Sequence, residues 1–507
     1  MITSSIKYLH LLIILLTAIL LCCGVLSDVL WFDEAYTLCL LDQPLSQLFV
    51  SACADVHPPL FYFMAKALLS LCGLQPSLDP QASILLLRLF CIFPICLLSL
   101  LGYTHIRRLF GCGCGLLFSL FVGFAPSTFY YTLQIRMYSW AALFVFCAFL
   151  ASYSILQTTV LSPTKKASRR SWICMAFFTL LAAYTHYYAL AAAAALQIFL
   201  LPLAWKRKRD LFLPWCLTAL SQLLLYIPGF LLLYRQATAV AQGFWITIQY
   251  PEVLKEILAF FQQGALSPSL ALKISSILFG LLLLLAIITR RFQSLPVKKA
   301  ILSCLLPILF VCGSGLLLSL FRPVFLPRYL FPMCGLYWLL VALLFSSIQK
   351  KWIPILFSFV LLFLGTKSTA IRLDAMMKSE NAEWKETIEA NLTPEDAFFF
   401  SDLNVGCQAA VFFAQHPLYF YNEFSWNEKN GRMGFSSLMD RSPEELADAP
   451  VSRLWIIDSE KTNLTARLPD NYSCILSKTY HFHPYSGQWI HLSLWQKNEN
   501  HSILISK

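Results

Sequence analysis

Residues 171–205 read SWICMAFFTLLAAYTHYYALAAAAALQIFLLPLAW, and this stretch decides the fold class. It contains no Asp, Glu, Lys or Arg, although basic residues stand directly before and after it. About 20 apolar residues in a helix cross a hydrocarbon core roughly 30 Å thick, so the stretch is long enough for two crossings. The polar group Thr185-His186-Tyr187-Tyr188 marks the turn between them. We therefore predict two membrane-spanning helices, over 171–188 and 189–205.

The rest of the chain up to residue 372 also consists of long apolar runs separated by short polar loops. Of the 507 residues, 58% are hydrophobic and 13% are charged, against about 45–50% and 25% in soluble domains. A soluble chain of this length would divide into several domains, because a single hydrophobic core does not grow indefinitely. A soluble core therefore cannot bury so many apolar side chains, and we expect the surplus to face lipid. The pattern predicts about eleven spans. The other nine cover 8–27, 83–104, 112–130, 137–157, 211–234, 271–289, 300–321, 329–348 and 352–371.

Basic residues predict the orientation of these spans. Up to residue 372 the chain has 27 Lys and Arg against nine Asp and Glu, and afterwards it has 11 against 18. The basic clusters fall in alternate loops: Lys7, Arg107-Arg108, 165–170, 206–209, 290–299 and Lys350-Lys351. Basic loops stay cytoplasmic, so we predict a multi-pass plasma-membrane protein with its N-terminus inside and its C-terminal domain outside. The basic loops then account for the net charge of +11, so the charge does not indicate a nucleic-acid partner.

Two features allow alternatives. A cleaved signal peptide over 1–27 competes with an uncleaved first span, but cleavage would remove the span that sets the charge alternation. Most of the 17 cysteines lie inside apolar runs, where Cys behaves as a small hydrophobic residue. Cys407 and Cys474 share the predicted outer domain, where a disulfide and two reduced thiols are both open alternatives.

The acidic residues of the membrane part lie almost entirely on the predicted outer side. Six of the nine crowd the first outer loop, 28–82, and only Asp210 falls in a predicted cytoplasmic loop. Asp33 and Glu34 directly follow the first span, between aromatic residues that favour the membrane interface. A solvated turn is the plain alternative. Because carboxylates at a membrane face are costly without water, a partner or a substrate, we treat both as candidate site residues.

A second candidate motif follows in the same loop. Asp55-Val56-His57-Pro58-Pro59 precedes an apolar stretch, and proline is well tolerated in the first turn of a helix. Residues 60–73 are short for a span and are predicted to lie along the membrane surface. The loop would then present Asp33, Glu34, Asp55 and His57 above the bilayer.

Together these motifs resemble the GT-C superfamily of membrane glycosyltransferases, and within it the bacterial protein O-mannosyltransferase and aminoarabinose transferase (family 39-like) branch. The resemblance covers nearly the whole chain in layout, although each motif is short. The matching stretches are Asp33-Glu34, Asp55–Pro59, Gln134–Ser139 (QIRMYS), Thr185–Tyr188, Pro327–Leu330 (PRYL) and Ala382–Lys385 (AEWK).

The resemblance implies a sugar donor linked to a polyprenyl phosphate, an acceptor at the outer face, and inversion. It implies Asp33 as general base, with Glu34 orienting the acceptor or tuning Asp33. A departing lipid phosphate needs cationic stabilisation, and the outer-face guanidinium groups of Arg136 and Arg328 can bind phosphate through two hydrogen bonds. Arg322 is an alternative to Arg328.

The remaining candidates are expected to line the substrate site: Asp55, His57, Tyr138, His186 and Tyr187. Alternatives are that Arg136 reaches outer headgroups and that His186 is a hydrogen-bonded interface residue. His57 with a nearby carboxylate has the ligand chemistry for a divalent cation. No ligand spacing is diagnostic, so no metal is assigned and a divalent cation stays open.

Residues 373–507 predict a small α/β domain. Strand-like runs over 397–401 and 454–458 alternate with helical segments over 380–391 and 443–447. A histidine-bearing strand pair is expected over 480–491, and no Gly-rich phosphate loop or nucleophile elbow occurs here. The domain is therefore expected to face the acceptor or to stabilise the protein.

The sequence thus predicts an α-helical polytopic membrane domain, 1–372, followed by an extracytoplasmic α/β domain, 373–507. The predicted function is glycosyl transfer. A transporter or lipid-linked-sugar flippase is the main rival, and would favour ionisable groups within the bundle and broken helices; a non-catalytic assembly protein is the third class. The sugar, the isoprenoid and the acceptor (protein, glycolipid or cell-envelope glycan) stay open.

Overall fold

The structure is a computed structural model of the chain. It describes residues 2–27, 30–161, 167–206, 208–242, 246, 250–262, 277, 281, 284, 288, 293–348, 352–378, 380–400, 403–420, 438–440, 451–459, 465, 468–481 and 489–498.

Helices dominate the described residues up to Asn391. They are α1 Ile2–Cys23, α2 Phe32–Asp42, α3 Leu45–Ala54, α4 Leu60–Leu71, α5 Pro80–Leu101, α6 Arg107–Phe110, α7 Cys112–Phe124, α8 Pro126–Thr132, α9 Tyr138–Leu161, α10 Arg169–Thr185, α11 Tyr187–Lys206, α12 Leu213–Leu225, α13 Ile227–Gln242, α14 Glu252–Gln262, α15 Leu295–Phe321, α16 Cys334–Ser346, α17 Trp352–Met376 and α18 Glu380–Asn391. Short π-helical turns, Gly102–Ile106 and Lys208–Phe212, precede α6 and α12, and a 3-10 helix, Pro327–Met333, precedes α16.

Several helices are suited to cross a membrane. Five helical segments are long and apolar enough: Pro80–Phe110, Tyr138–Thr158, Tyr187–Lys206, Leu295–Phe321 and Pro327–Ser346. Two further pairs, Cys112–Phe124 with Pro126–Thr132 and Asp210–Leu225 with Ile227–Thr238, are bent by 54° and 55°. Pro126 and Pro228 lie at the two bends, and proline removes a helical hydrogen bond. Helices occupy every predicted span position except 271–289, which lies outside the described residues apart from four isolated ones. The count of about eleven stays a prediction.

The chain forms two compact units, and the first contains most of the membrane helices. It comprises Met1–Cys23, Asp55–Phe61 and Arg88–Ala370. Small residues allow close helix packing here, as is common in membranes: a side chain at Gly123 in α7 would collide with Thr17 of α1. A polar relay joins these two helices to α5, because His10 Nε2 lies 2.7 Å from Ser119 Oγ, which donates to the carbonyl of Ser99 in α5 at 2.7 Å.

The second unit comprises Gly24–Ala54, Tyr62–Leu87 and Ile371–Lys507. It contains helix α19, Leu403–Phe412, and six strands: β1 Asp396–Phe400, β2 Leu418–Phe420, β3 Leu438–Asp440, β4 Arg453–Ser459, β5 Tyr472–His481 and β6 Trp489–Lys497. Helix α2 packs on α19, where the Cys39 thiol donates to the Cys407 carbonyl at 4.0 Å.

The strands form one mixed sheet in the order β3-β2-β1-β4-β6-β5. The pairs among β3, β2, β1 and β4 are parallel, with Phe398 opposite Leu418 and Trp455. Strand β6 runs antiparallel to both β4 and β5. Every residue of β1 is buried, as expected of a strand inside a parallel sheet. The predicted strands over 397–401 and 454–458 and the helix over 380–391 are confirmed. A strand pair is present, but it runs over 472–481 and 489–497, so the predicted range 480–491 covers only the facing ends of its strands. Residues 443–447 lie outside the described part.

A buried carboxylate fixes one edge of this sheet's core. Asp396 accepts hydrogen bonds from Arg453 Nε at 2.7 Å, from Trp455 Nε1 at 2.8 Å and from the Thr393 hydroxyl at 2.6 Å. Burial alone would raise the pKa of Asp396, but these hydrogen bonds outweigh burial and lower it. Cys407 and Cys474 are both free thiols, the first buried and the second exposed, so the disulfide alternative does not hold in this structure.

Candidate active site

The acidic pair Asp33-Glu34 forms the first turn of α2. Acidic side chains favour the positive end of a helix dipole. Glu34 is fully buried, and its carboxylate accepts the Trp31 backbone N–H at 3.0 Å, which is one half of a capping box. Asp33 is partly exposed, and its carbonyl accepts the Thr37 hydroxyl at 2.6 Å. Glu34 thus caps its own helix through one carboxylate oxygen, whereas the Asp33 side chain is partly exposed.

A cluster of histidine and tyrosine rings lies in the first unit. The rings of His57 and His186 stack with centroids 5.5 Å apart. Tyr329 contacts both, at 5.9 Å from His57 and 5.4 Å from His186. Tyr138 approaches His186 from another side at 5.8 Å, and Tyr188 stacks on Tyr329 at 5.3 Å. Four segments far apart in sequence thus contribute five rings to one cluster.

Hydrogen bonding defines the orientation of His186. The backbone N–H of Tyr188 donates to His186 Nδ1 at 3.2 Å. Since Nδ1 accepts, the proton of the neutral ring lies on Nε2. His186 is 1% exposed, and within the described part of the chain its Nε2 has no hydrogen-bond partner. The cluster thus contains a buried donor that its own side chains leave unused, a feature that calls for an explanation in a native structure.

A second polar relay fixes His57. The Tyr187 hydroxyl donates to Gln236 Oε1, and the Gln236 amide donates to the His57 carbonyl at 3.3 Å. His57 and Gln236 are both buried, at 5% and 4% exposure. The backbone at Pro58-Pro59 then enters α4, as the sequence predicts. The position of His57 therefore depends on Gln236 within α13 and on the start of α11.

Two guanidinium groups act on this cluster. Arg136 is 3% exposed and lies in the tight turn between α8 and α9, where its N–H donates to the Gln134 carbonyl at 2.7 Å. Arg328 lies in the 3-10 helix, with its guanidinium 5.9 Å from the Tyr329 ring centre. Both arginines interact electrostatically with His57 and His186. Burial, then Arg136, His186 and Arg328, hold the pKa of His57 well below its ordinary value, so His57 is neutral at neutral pH.

The local electrostatics suit an anion better than a metal ion. Two fixed positive charges beside neutral imidazoles attract a negative group and repel a cation. In the part of the chain that the structure describes, no three His, Cys, Asp or Glu side chains lie close enough to share a metal ion. The divalent cation left open by the sequence gains no support from this arrangement.

Six predicted site residues belong to this one cluster: His57, Arg136, Tyr138, His186, Tyr187 and Arg328. Asp55 is half-buried in the turn that contains His57. Asp33 and Glu34 belong to the second unit. Sequence reasoning missed Gln236 as the residue that links Tyr187 to His57. Its signal was a polar Arg235-Gln236 pair at the end of an apolar run.

Comparison with known proteins supports the fold. No family model and no curated protein matches the sequence. The chain overlays on a crystal structure of ArnT from Cupriavidus metallidurans bound to undecaprenyl phosphate with a TM-score of 0.59 at 13% identity, covering 95% of this chain and 97% of that one. The apo state of ArnT overlays with a TM-score of 0.59 at 12% identity and the same coverage. The chain has the fold of ArnT. The predicted fold class, an α-helical polytopic membrane protein with a C-terminal α/β domain, is confirmed.

A second protein gives a weaker overlay. The archaeal oligosaccharyltransferase AglB from Archaeoglobus fulgidus, in complex with an inhibitory peptide and a dolichol-phosphate, gives a TM-score of 0.43 at 12% identity. It covers 89% of this chain and 69% of that one. This weaker overlay supports no statement about the site described above.

Proposed function

We propose that the chain is a membrane glycosyltransferase that transfers a sugar from a polyprenyl-phosphate donor to an acceptor. One observation carries the proposal. Arg136 and Arg328 act on the same two buried histidines, in a chain with the fold of ArnT, whose crystal structure contains undecaprenyl phosphate. A paired cationic site in an otherwise apolar bundle is expensive, and a lipid phosphate is the anion that a membrane enzyme of this fold would bind.

In this proposal the phosphate of the donor occupies the cationic cluster. Guanidinium groups match phosphate oxygens through two parallel hydrogen bonds. The Nε2–H of His186 supplies a further, neutral donor. These groups stabilise the negative charge that grows on the phosphate as its bond to the sugar breaks.

Asp33 is proposed as the general base. The acceptor hydroxyl oxygen attacks the anomeric carbon while the bond from that carbon to the phosphate oxygen breaks, and the bonding electrons leave with the phosphate. The hydroxyl proton passes to the Asp33 carboxylate. The anomeric carbon develops oxocarbenium character on the way, and a single displacement inverts it. Glu34, bound to the Trp31 N–H, acts by holding this helix end.

The orientation is also a proposal, supported by the alternating basic loops. Residues 373–507 are placed outside the cell and residue 167 inside. A cysteine introduced near residue 430 should react with an impermeant thiol reagent added to intact cells, and one at residue 167 should not. The opposite pattern would place the proposed base on the cytoplasmic side.

A transporter or flippase is the second candidate, and the two bent helix pairs favour it, because broken helices are typical of transporters. The two functions differ in what they need. Transfer of sugar changes covalent bonds and proceeds in detergent micelles, whereas flipping has meaning only across a bilayer.

The deciding experiment uses the purified full chain in detergent. A panel of polyprenyl-phosphate-linked sugars is added with a membrane extract as acceptor source, and released polyprenyl phosphate is quantified by mass spectrometry. We expect release that depends on the protein with at least one donor. Flipping of a donor in proteoliposomes without release of polyprenyl phosphate in either format would establish the second candidate instead.

A further inference from the structure

The second unit contains a cavity of about 900 Å³, near the upper end of the range of about 300–1,000 Å³ that is typical of ligand pockets. Three segments line it: the C-terminal half of α2, residues 66–79, and residues 410–415 at the end of α19. Its polar lining includes Asp42, Lys66, Gln75, Asp79 and Gln415. No residue of this lining belongs to the proposed catalytic or phosphate-binding groups.

Two hydrogen bonds hold the walls of this cavity in place. Asp42 Oδ1 accepts the Ser77 backbone N–H at 2.9 Å. Lys66 Nζ donates to the Leu41 carbonyl at 2.6 Å. The turn after α4 is thereby fixed to the C-terminal end of α2. Asp79 and Gln415 are exposed, so their side chains are accessible to a ligand.

The chemistry of the lining points to a hydroxylated ligand. Carboxylates accept hydrogen bonds and primary amides both donate and accept, which suits the paired donors and acceptors of sugar hydroxyls. Lys66 is the only cation among the described lining residues, and its ammonium already donates to Leu41. The cavity therefore lacks the arginine cluster that a phosphate group would need.

Other ligand classes fit less well. No aromatic side chain is among the described residues of the lining, so nothing there would stack on a nucleic-acid base. The lining is built from helix ends and a turn and includes no strand edge. An extended peptide could not add to it as a further strand. A glycan is the class that these observations favour.

The cavity shares one helix with the proposed base. Asp33 stands in the first turn of α2, and Leu38, Cys39 and Asp42 of the same helix line the cavity. Nine residues separate Asp33 from Asp42, which corresponds to about 14 Å along a helix axis. Leu38, the lining residue nearest to Asp33 in this helix, is five residues away, or about 7–8 Å along the axis. One sugar reaches only this near end, whereas an oligosaccharide can extend from Asp33 to Asp42.

We propose that this cavity binds the glycan portion of the acceptor, at sugar units distant from the hydroxyl that receives the new sugar. The inference rests on the proposed function. It narrows the acceptor to a molecule that already contains an oligosaccharide, such as a glycolipid or a cell-envelope glycan. It also assigns α2 a second role: its first turn contacts the reacting end of the acceptor, and its C-terminal half contacts the bound glycan.

Photo-crosslinking tests the proposal. Leu78 lines the cavity and is 62% exposed, so Leu78→p-benzoylphenylalanine places a photoreactive ketone at the rim. The matched control is Leu71→p-benzoylphenylalanine, because Leu71 ends α4, is 85% exposed and is not part of the lining. The full chain is irradiated in the membranes of the cells that produce it, purified and digested, and the modified peptides are analysed by mass spectrometry.

We expect adducts with sugar-residue mass increments at position 78, at least tenfold more abundant than at position 71. The double change Asp79→Asn with Gln415→Ala should lower the yield at position 78 at least fivefold. Peptide adducts at position 78, equal yields at both positions, or no adduct would each overturn the proposal.

The Asp33→Asn variant separates this inference from the proposed function. Blocking transfer leaves the cavity intact, so the glycan adduct at position 78 should persist in that background. Normal transfer by Asp33→Asn together with a glycan adduct would remove the proposed base and retain the cavity. Lost transfer without any glycan adduct would retain the function and remove the cavity as the acceptor site.

Discussion

The carboxylate of Asp396 in the second unit and the imidazole of His186 in the first are buried to the same extent, at 0% and 1% exposure. Their surroundings differ. Asp396 accepts hydrogen bonds from Arg453, Trp455 and Thr393, all within its own domain. His186 Nε2 has no partner within the described part of the chain, although Nδ1 is bound by the backbone.

This difference separates structural burial from functional burial. A buried polar group costs free energy unless it is hydrogen-bonded. A protein that supplies the hydrogen bonds gains a defined packing around the group. A protein that does not supply them loses stability. Nearby Gln134, whose amide atoms also lack partners in the described structure, repeats the pattern of His186. Such groups are expected where a ligand completes the hydrogen bonds.

The largest expected effect tests the same contrast within one helix. Asp33→Asn should lower sugar transfer by about 10²–10⁴-fold, the usual contribution of a general base, because the amide cannot take up the acceptor proton. Glu34→Gln should cost far less, since an amide oxygen can still accept the Trp31 N–H. Initial rates of purified variants with matched thermal stability decide between them. A dead Glu34→Gln beside an active Asp33→Asn would exchange the two roles.

Asp396→Asn should destabilise the second unit without affecting transfer per folded molecule. Removing the charge breaks a buried ion pair, which costs about 3–5 kcal/mol when both partners are buried. Arg453 is 22% exposed on its side chain, so we expect roughly 2–3 kcal/mol. Urea unfolding followed by tryptophan fluorescence measures it. A loss of transfer with unchanged stability would contradict the structural role of this carboxylate.

The same substitution carries a pH test. The pKa of Asp396 in the folded protein lies below its ordinary value of 3.8. Its charge therefore stabilises the fold above that ordinary value, and the contribution is lost as the pH falls through the folded pKa. The difference in stability between wild type and Asp396→Asn should be constant from pH 5 to 7 and shrink below about pH 4.

Arg136→Lys and Arg328→Lys should each weaken binding of polyprenyl phosphate by about 10–100-fold. One ammonium cannot reproduce the two parallel hydrogen bonds of a guanidinium, and charge-assisted hydrogen bonds contribute about 1.5–3 kcal/mol. Arg235→Lys is the matched control, because Arg235 lies in the same unit and is exposed. Equal affinities in all three variants would show that these arginines serve only as anchors.

His186→Phe should produce the smallest change and the most informative one. The ring is replaced by an apolar ring of similar shape, which removes the unpartnered Nε2 donor and also the Nδ1 acceptor of the Tyr188 N–H. The gain and the loss oppose each other, so thermal stability should change little. Affinity for polyprenyl phosphate should fall about fivefold, the equivalent of one neutral hydrogen bond of about 1 kcal/mol. Asp396→Asn should show the reverse combination. If His186→Phe lost stability and kept affinity, the distinction between the two kinds of burial would fail.

The fold was predictable because its determinants are local. Apolar runs predict membrane helices from length alone, and the 380–391 helix and the strands around Phe399 and Ile456 follow from short-range patterns. Six of the candidate site residues named from the motif resemblance lie in one cluster, and their roles stay predictions. These residues share the property that each stands at the end of an apolar run, where the sequence already marks a boundary.

The geometry was not predictable, because it depends on contacts between segments distant in sequence. His57 and His186 are 129 positions apart, and no pattern near either indicates that their rings stack. Glu34 carried the same sequence signal as Asp33, and only its bond to the Trp31 N–H reveals a cap. Gln236 gave almost no signal, since one polar residue after an apolar run is common.

The order of the strands has a consequence for how the protein is made. Strand β6 is the last of the six to be synthesised, yet it lies between β4 and β5. Within the described sheet β5 pairs only with β6, so β5 leaves the ribosome before its partner exists. Until residues 489–497 are available, β4 exposes an unpaired edge, which readily recruits other strands. The growing chain is therefore prone to aggregation until β6 pairs with β4 and β5.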